Sequence, residues 1–257
     1  MAVLEVKGVS KSFEGEKIIE NISIKLHKGE IVSLLGVSGG GKTTLFNLIA
    51  GISRPDQGSI WLEGEEITGK PGMVSYMLQK DLLLPYRTIL DNVALPLVIK
   101  GMKKKEAREK ASAFFAQFGL EGTQKKYPIQ LSGGMRQRAA LLRTYLFSER
   151  VALLDEPFSA LDMLTKGAIH QWYLEVMEQI QLFTLFITHD IDEAILLSDR
   201  IYLLTGKPGC ITEEIVISEP KPRRADFHLS ADFLRYKTQI LQHLNAGVAK
   251  PPAFMRK

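Results

Sequence analysis

Cysteine is nearly absent from the 257 residues. Cys210 stands alone, so no disulfide can close within the chain, and a reducing cytosol is the natural setting. No apolar run approaches the roughly 18 residues that a membrane span needs. The opening residues, MAVLEVKGVSKSF, hold no basic stretch followed by a long apolar one, which argues against a secretory leader. Any link to a membrane therefore has to come through a partner. Charge of one sign is also scarce: 33 basic and 29 acidic residues leave a formal net charge of +4, small for the length. The basic run at residues 100–110 is mixed with acids, and the cluster KPRR at 221–224 is broken by proline. Both read as exposed, solvated surface rather than a nucleic-acid face. Attraction to anionic headgroups beneath a membrane partner is the weaker alternative. Internal repeats and low-complexity linkers are missing too.

What is present suits a soluble globular chain. Hydrophobic residues make up 45% and charged residues 24%, enough to bury a full core without disulfides. Residues 3–6 and 18–26 alternate as strands do, and residues 31–35 (IVSLL) form a short apolar strand that stops at Gly36. A helix is predicted from Lys42 to Ala50, with Gly51 as its stop. Residues 59–62 and 73–77 read as further strands. The middle then becomes helical, at 88–99, at 106–118 and from Ser132 to about Phe147. In the second of these, Ala107, Ala111, Phe114, Phe115 and Phe118 share one face, and Gly119 ends it. From Val151 strands and helices alternate again: VALLD, a helix near 164–180, LFTLFI, a helix from Ile191, IYLL, and a last helix over 230–245. The pattern implies a mainly parallel α/β core (residues 1–85 and 150–225), a helical insert at 86–149 and a C-terminal helical tail at 226–257.

Gly36-Val37-Ser38-Gly39-Gly40-Gly41-Lys42-Thr43 fits the spacing G-x-x-x-x-G-K-[ST]. Glycines let backbone N–H groups converge on phosphate oxygens with no Cβ in the way. The helix beginning at Lys42 aims its positive end at the same anion. Lys42 brings an ammonium for the β- and γ-phosphates, and the Thr43 hydroxyl is a ligand for Mg2+. The candidate nucleotide-binding set is Gly36, Ser38, Gly39, Gly40, Gly41, Lys42, Thr43 and Thr44. The alternative, a chance glycine-rich turn, does not account for the strand before it and the helix after it.

Residues 151–157 (VALLDEP) form an apolar strand ending in two adjacent carboxylates. Taken alone this is an acidic turn. Beside a phosphate loop, Asp155 suits Mg2+ and Glu156 suits polarising an attacking water. Residues 131–138 (LSGGMRQR) supply a second anion-binding helix start: Ser132 is a good N-cap, and Gly133 and Gly134 leave the first N–H groups open.

At these residues the chain resembles the ATP-binding cassette (ABC) family, over nearly its whole length from Leu4 to about Arg224. The resemblance implies a RecA-like P-loop NTPase core with an N-terminal antiparallel β subdomain and an inserted helical subdomain. It implies an ATPase using ATP and Mg2+, working as an ATP-dependent homodimer in which Ser132, Gly133 and Gly134 serve the nucleotide of the other copy. By position, Phe13 is similar to the aromatic that stacks on adenine, with plain core as its alternative. Gln79 is similar to the glutamine that senses Mg2+ and the water. Asp162, in SALD, falls in the dimer-contact loop. His189 is similar to the switch histidine that contacts the γ-phosphate. Val37 stands where proline is frequent, and Thr144 and Tyr145 replace the usual small residues, but no catalytic group is lost.

LSGGMRQR, LLLPYRTILDNVALPL, DEAILLSDRIYLL, the turn at Pro208-Gly209 and EPKPRR resemble the importer branch for nitrate, sulfonate, taurine, bicarbonate and thiamine precursors. This implies two transmembrane permease subunits, an extracytoplasmic solute-binding protein, a peripheral place on the cytoplasmic face of the membrane, and no nucleic acid. The segment near residues 83–86 is expected to receive a short helix of the permease. The solute is not encoded in this chain. The competing readings are a soluble ABC-type ATPase acting on nucleic acid or ribosomes, which usually carries coiled coils or tandem cassettes, and an exporter ATPase. A GTPase is disfavoured because no [NT]-K-x-D segment occurs.

Overall fold

In a computed structural model of the chain, residues 2–148, 150–159, 163–221, 223–224 and 226–247 are described. Asp162 lies outside them. The chain divides into two compact units, residues 1–71 with 185–257, and residues 72–184.

The first unit opens with two long antiparallel strands, β1 (Ala2–Phe13) and β2 (Glu16–His27), whose alternation turns Leu4, Val6, Val9, Ile22, Ile24 and Leu26 inward. Strand β3 (Ile31–Gly36) is buried at every residue, Ser33 included, as suits its mainly apolar run. Helix α1 (Lys42–Ile49) follows the glycine-rich turn and packs Leu45, Phe46, Leu48 and Ile49 inward. Strands β4 (Gln57–Leu62) and β5 (Glu65–Glu66) complete an antiparallel sheet in the order β2-β1-β4-β5.

The second unit holds β6 (Ser75–Met77), shorter than the predicted 73–77, and the helices α2 (Ile89–Ile99), α3 (Lys104–Ser112) and α4 (Gly133–Phe147). Strand β7 (Val151–Asp155) runs parallel to β6, and α5 (Met163–Ile180) follows. Thr88 caps α2, its Oγ1 accepting from Asp91 N at 3.2 Å. The helix expected over 106–118 is corrected: it starts two residues earlier and stops at Ser112. Beyond it the chain tightens into turns, with Phe114 N donating to Ala111 O and Phe115 N to Ser112 O. The tightening accompanies aromatic packing: the rings of Phe114 and Phe118 lie 5.4 and 6.1 Å from Tyr145. That packing also explains the large residue at 145.

The chain returns to the first unit through β8 (Phe183–Thr188), then α6 (Ile191–Leu197), β9 (Arg200–Thr205), β10 (Cys210–Val216) and α7 (Ala231–Gly247). Here the strand order is β10-β9-β3-β8, with β3 and β9 parallel and β10 antiparallel. The sequence reading missed β10. One face of α7, with Phe233, Tyr236 and Ile240, joins Ala194, Ile195, Ile201, Leu203, Ile215 and Phe227 in one core cluster. The reading of 221–224 as exposed surface is also corrected at Arg223, which is only 8% exposed. Its guanidinium donates to Leu196 O and Ser198 O, the open carbonyls at the end of α6.

Candidate functional site

The phosphate loop lies in the first unit. Strand β3 delivers the chain to Gly36, where a Cβ would lie 2.3 Å from Leu204 O, so only glycine fits. Gly39 and Gly41 take left-handed φ angles of 79° and 90°. Lys42 Nζ donates to Gly36 O at 2.8 Å and Val37 O at 2.9 Å, folding the ammonium over its own loop. Val37, Ser38, Gly39 and Thr43 are exposed on the outer side, Thr44 is half-buried, and nothing lies within 4 Å of a Cβ built on Gly39. The result is an open cradle of backbone donors at a helix start, with one ammonium inside it. A polyphosphate fits this donor set.

Two further predicted residues belong to this unit. Phe13 ends β1 and is 49% exposed, so it is not core, and Lys11 Nζ sits 5.4 Å from its ring. His189 follows β8 and is exposed. Its neighbour Asp190 caps α6, its Oδ1 accepting from Asp192 N and Glu193 N.

The second unit carries the carboxylates. The apolar run of β7 buries the strand and brings Asp155 to its end, 7% exposed. Tyr76 Oη donates to Asp155 Oδ2 at 3.4 Å. Burial, then the Asp155 charge, push the Tyr76 hydroxyl well above its ordinary range. Glu156 takes a left-handed φ of 46°, a conformation that costs energy for a residue with a side chain. Ser159 Oγ donates to its carbonyl at 3.0 Å. Gln79 Nε2 donates to Glu156 Oε2 at 2.9 Å. The second unit thus joins Gln79 directly to Glu156, with Tyr76 on Asp155.

Ser132 caps α4 as expected, its Oγ accepting from Met135 N at 3.3 Å. A Cβ on Gly133 would meet nothing within 4 Å, so this helix start is open. Sequence reasoning missed two residues that hold the stretch after Gln79. Arg143, on α4, donates to Leu82 O at 2.8 Å and to Asp81 O. Buried Asn92, on α2, accepts from Leu84 N and donates to Leu84 O, Arg87 O and Thr88 O. An amide among the mainly apolar residues of α2 was the available signal for Asn92. For Arg143 there was none, because its partners are backbone carbonyls about sixty residues away. The held segment leaves Leu82, Leu84 and Tyr86 exposed, Tyr86 at 94%.

A phosphate loop entered from a parallel strand, a strand-end carboxylate pair and a second open, serine-capped helix start define a nucleotide-binding ATPase cassette. The model of the ABC transporter family matches residues 19–159, and the chain belongs to that family. It is 51% identical over 191 residues to the formylaminopyrimidine import ATP-binding protein ThiZ of Halalkalibacterium halodurans, which covers 74% of each chain. It is 35% identical over 247 residues to the nitrate import ATP-binding protein NrtD of Synechocystis sp., covering 92% of this chain and 93% of that one. Two dimeric structures of the ATP-binding cassette MJ0796, one of them a post-hydrolysis state bound to ADP and Pi, superpose with TM-scores of 0.71 and 0.69 at 29% identity, covering 83% of this chain and 98% of that one. The protein is an ABC ATPase with the P-loop NTPase fold.

Proposed function

We propose that this chain is the ATPase subunit of an importer for a small anion or organic solute. In this reading ATP-driven closure of two copies is passed to two permease subunits, which a solute-binding protein supplies. The observation that carries the reading is the serine-capped helix start, open at Ser132 and Gly133 with Gly134 buried behind them, in a chain that already owns a phosphate loop. A second phosphate-grade helix start has no use in a monomer, and it has one if it caps the nucleotide of a twin. The import function of ThiZ and NrtD supports the direction of transport. No helix among the described residues is long and apolar enough to cross a membrane. The exposed Leu82, Leu84 and Tyr86 suit a permease helix.

The roles follow from the chemistry of each group. Loop N–H groups not already bonded within the chain hold the phosphates, Gly40 N donating instead to Val37 O at 3.3 Å, and Lys42 leaves its loop carbonyls for the β- and γ-phosphates. Phe13 stacks on the adenine. Among the described residues no group of three or more carboxylate, histidine or cysteine side chains could hold a metal by itself. Mg2+ brought by the phosphates themselves needs few protein ligands. Thr43, Asp155 and Gln79 would hold it, and Mg2+ would supply charge neutralisation on the phosphates. Glu156 takes the proton of the attacking water, and His189 orients that water against the γ-phosphate. Asp162 belongs to the contact between copies.

Nucleotide binding and turnover, measured side by side, test these roles. Lys42→Ala should lose ATP binding. Glu156→Gln should keep it and lose turnover. Turnover near wild type in Glu156→Gln removes the general-base assignment.

A further inference from the structure

The turn between β9 and β10 lies against the phosphate loop. Gly209 is fixed to β2 by two backbone bonds. Its N–H donates to Ile18 O at 2.8 Å, and its carbonyl accepts from Glu20 N at 3.0 Å. A Cβ built on Gly209 would lie 2.2 Å from Gly40 O and 3.3 Å from the Gly40 carbonyl carbon. On the β2 side, a Cβ on Gly41 would lie 2.4 Å from Ile19 Cγ2. The loop is therefore held in direct contact between β2 and the β9–β10 turn. Gly209 itself does not take a left-handed φ, so its own backbone would accept alanine. Contact with the loop is what excludes a side chain.

We infer that Gly209 is a positioning residue for ATP: it sets the peptide of Gly40, and with it the backbone donors that receive the phosphates. The inference rests on reading residues 36–44 as the phosphate site. An added Cβ cannot be relieved by a rotating side chain, because both partners at the contact are backbone. Either Gly40 moves or the turn moves. Since Gly209 is tied to β2 on both its N–H and its carbonyl, the loop yields. Binding donors must stay within about 0.5 Å of their working positions, and the required shift exceeds that.

The test is equilibrium ATP binding and steady-state ATP hydrolysis by the full chain, with the thermal midpoint of each nucleotide-free protein recorded. Gly209→Ala should raise both the dissociation constant and KM for ATP by at least about tenfold. Its kcat at saturating ATP should stay within about threefold of wild type, because the reacting groups are untouched. Gly64→Ala serves as the stability control. Gly64 has a φ of 86° with nothing near a Cβ, so the change lowers the midpoint and leaves ATP affinity unchanged. If Gly209→Ala does not fold, the double change Lys207→Gly with Pro208→Gly loosens the same turn without adding atoms, and KM should rise about threefold. Wild-type ATP affinity in folded Gly209→Ala, or in the double variant where the first does not fold, overturns the inference. Lys42→Ala separates the two levels. If it loses ATP while Gly209→Ala keeps it, only the positioning role fails. If Lys42→Ala keeps wild-type affinity as well, the phosphate-loop reading fails with it.

Discussion

Gln79 Nε2 donates a 2.9 Å hydrogen bond to Glu156 Oε2, so the glutamine holds the carboxylate proposed to take the proton from water. The backbone of Glu156 is itself set in the left-handed region at φ 46°. Two independent restraints, one on the side chain and one on the main chain, thus fix this group. Orientation of this kind affects the chemical step more than nucleotide binding.

Gln79→Ala should therefore lower kcat by about ten- to a hundredfold, with affinity for Mg2+-free ATP close to wild type. Single-turnover hydrolysis beside equilibrium binding checks this. Equal losses in both would make Gln79 a binding residue instead.

Asn92 is fully buried and spends its amide on the backbone of residues 84, 87 and 88. Asn92→Ala leaves several carbonyls and one N–H without that partner. It should cost about 3 kcal/mol in urea unfolding. It should also weaken co-purification with the permease, because the exposed Leu84 and Tyr86 lose their support.

Arg108 grips Asp91 with a two-pronged contact at 2.8 and 2.7 Å. The hydrogen bond to Arg108, and then its charge, hold the Asp91 carboxyl below the usual carboxylate range. A carboxyl depressed in the folded state stabilises above its unfolded pKa, about 4, and that contribution disappears as pH falls through the folded value. The thermal midpoint of wild type should therefore drop more steeply below about pH 4 than that of Asp91→Asn. Parallel curves would show that the pair contributes nothing to folding.

The parts legible in the sequence were those whose chemistry is local. The phosphate loop is a run of glycines between a strand and a helix, and Ser132 caps the helix that begins one residue later. The apolar run 151–155 shows both its burial and the acid at its end. What escaped notice depends on contacts remote in sequence. Arg143 and Arg223 bind main-chain oxygens that no side-chain pattern announces. The helix thought to extend to Phe118 stops at Ser112, where aromatic packing on Tyr145 outweighs helical spacing. Strand β10 mixes glutamates with apolar residues, which hides it from a search for apolar runs.

Arg223 gives that point a measurable form. Two of its nitrogens satisfy two carbonyls at the end of α6, and burial pulls its own pKa below the ordinary arginine value. Arg223→Ala should lower stability by about 2–3 kcal/mol. Arg223→Lys should recover only part of this, since one ammonium does not reproduce a planar fork. Urea midpoints of the three proteins decide it.

The account turns on a nucleotide held between Lys42 of one copy and Ser132 of the other. Light scattering of Glu156→Gln in Mg·ATP measures this directly. The predicted mass is twice the 28.8 kDa of one chain, returning to 28.8 kDa when Ser132→Arg is added. ATP-bound Glu156→Gln that stays at 28.8 kDa, with the wild type hydrolysing at full rate as a monomer, would contradict it.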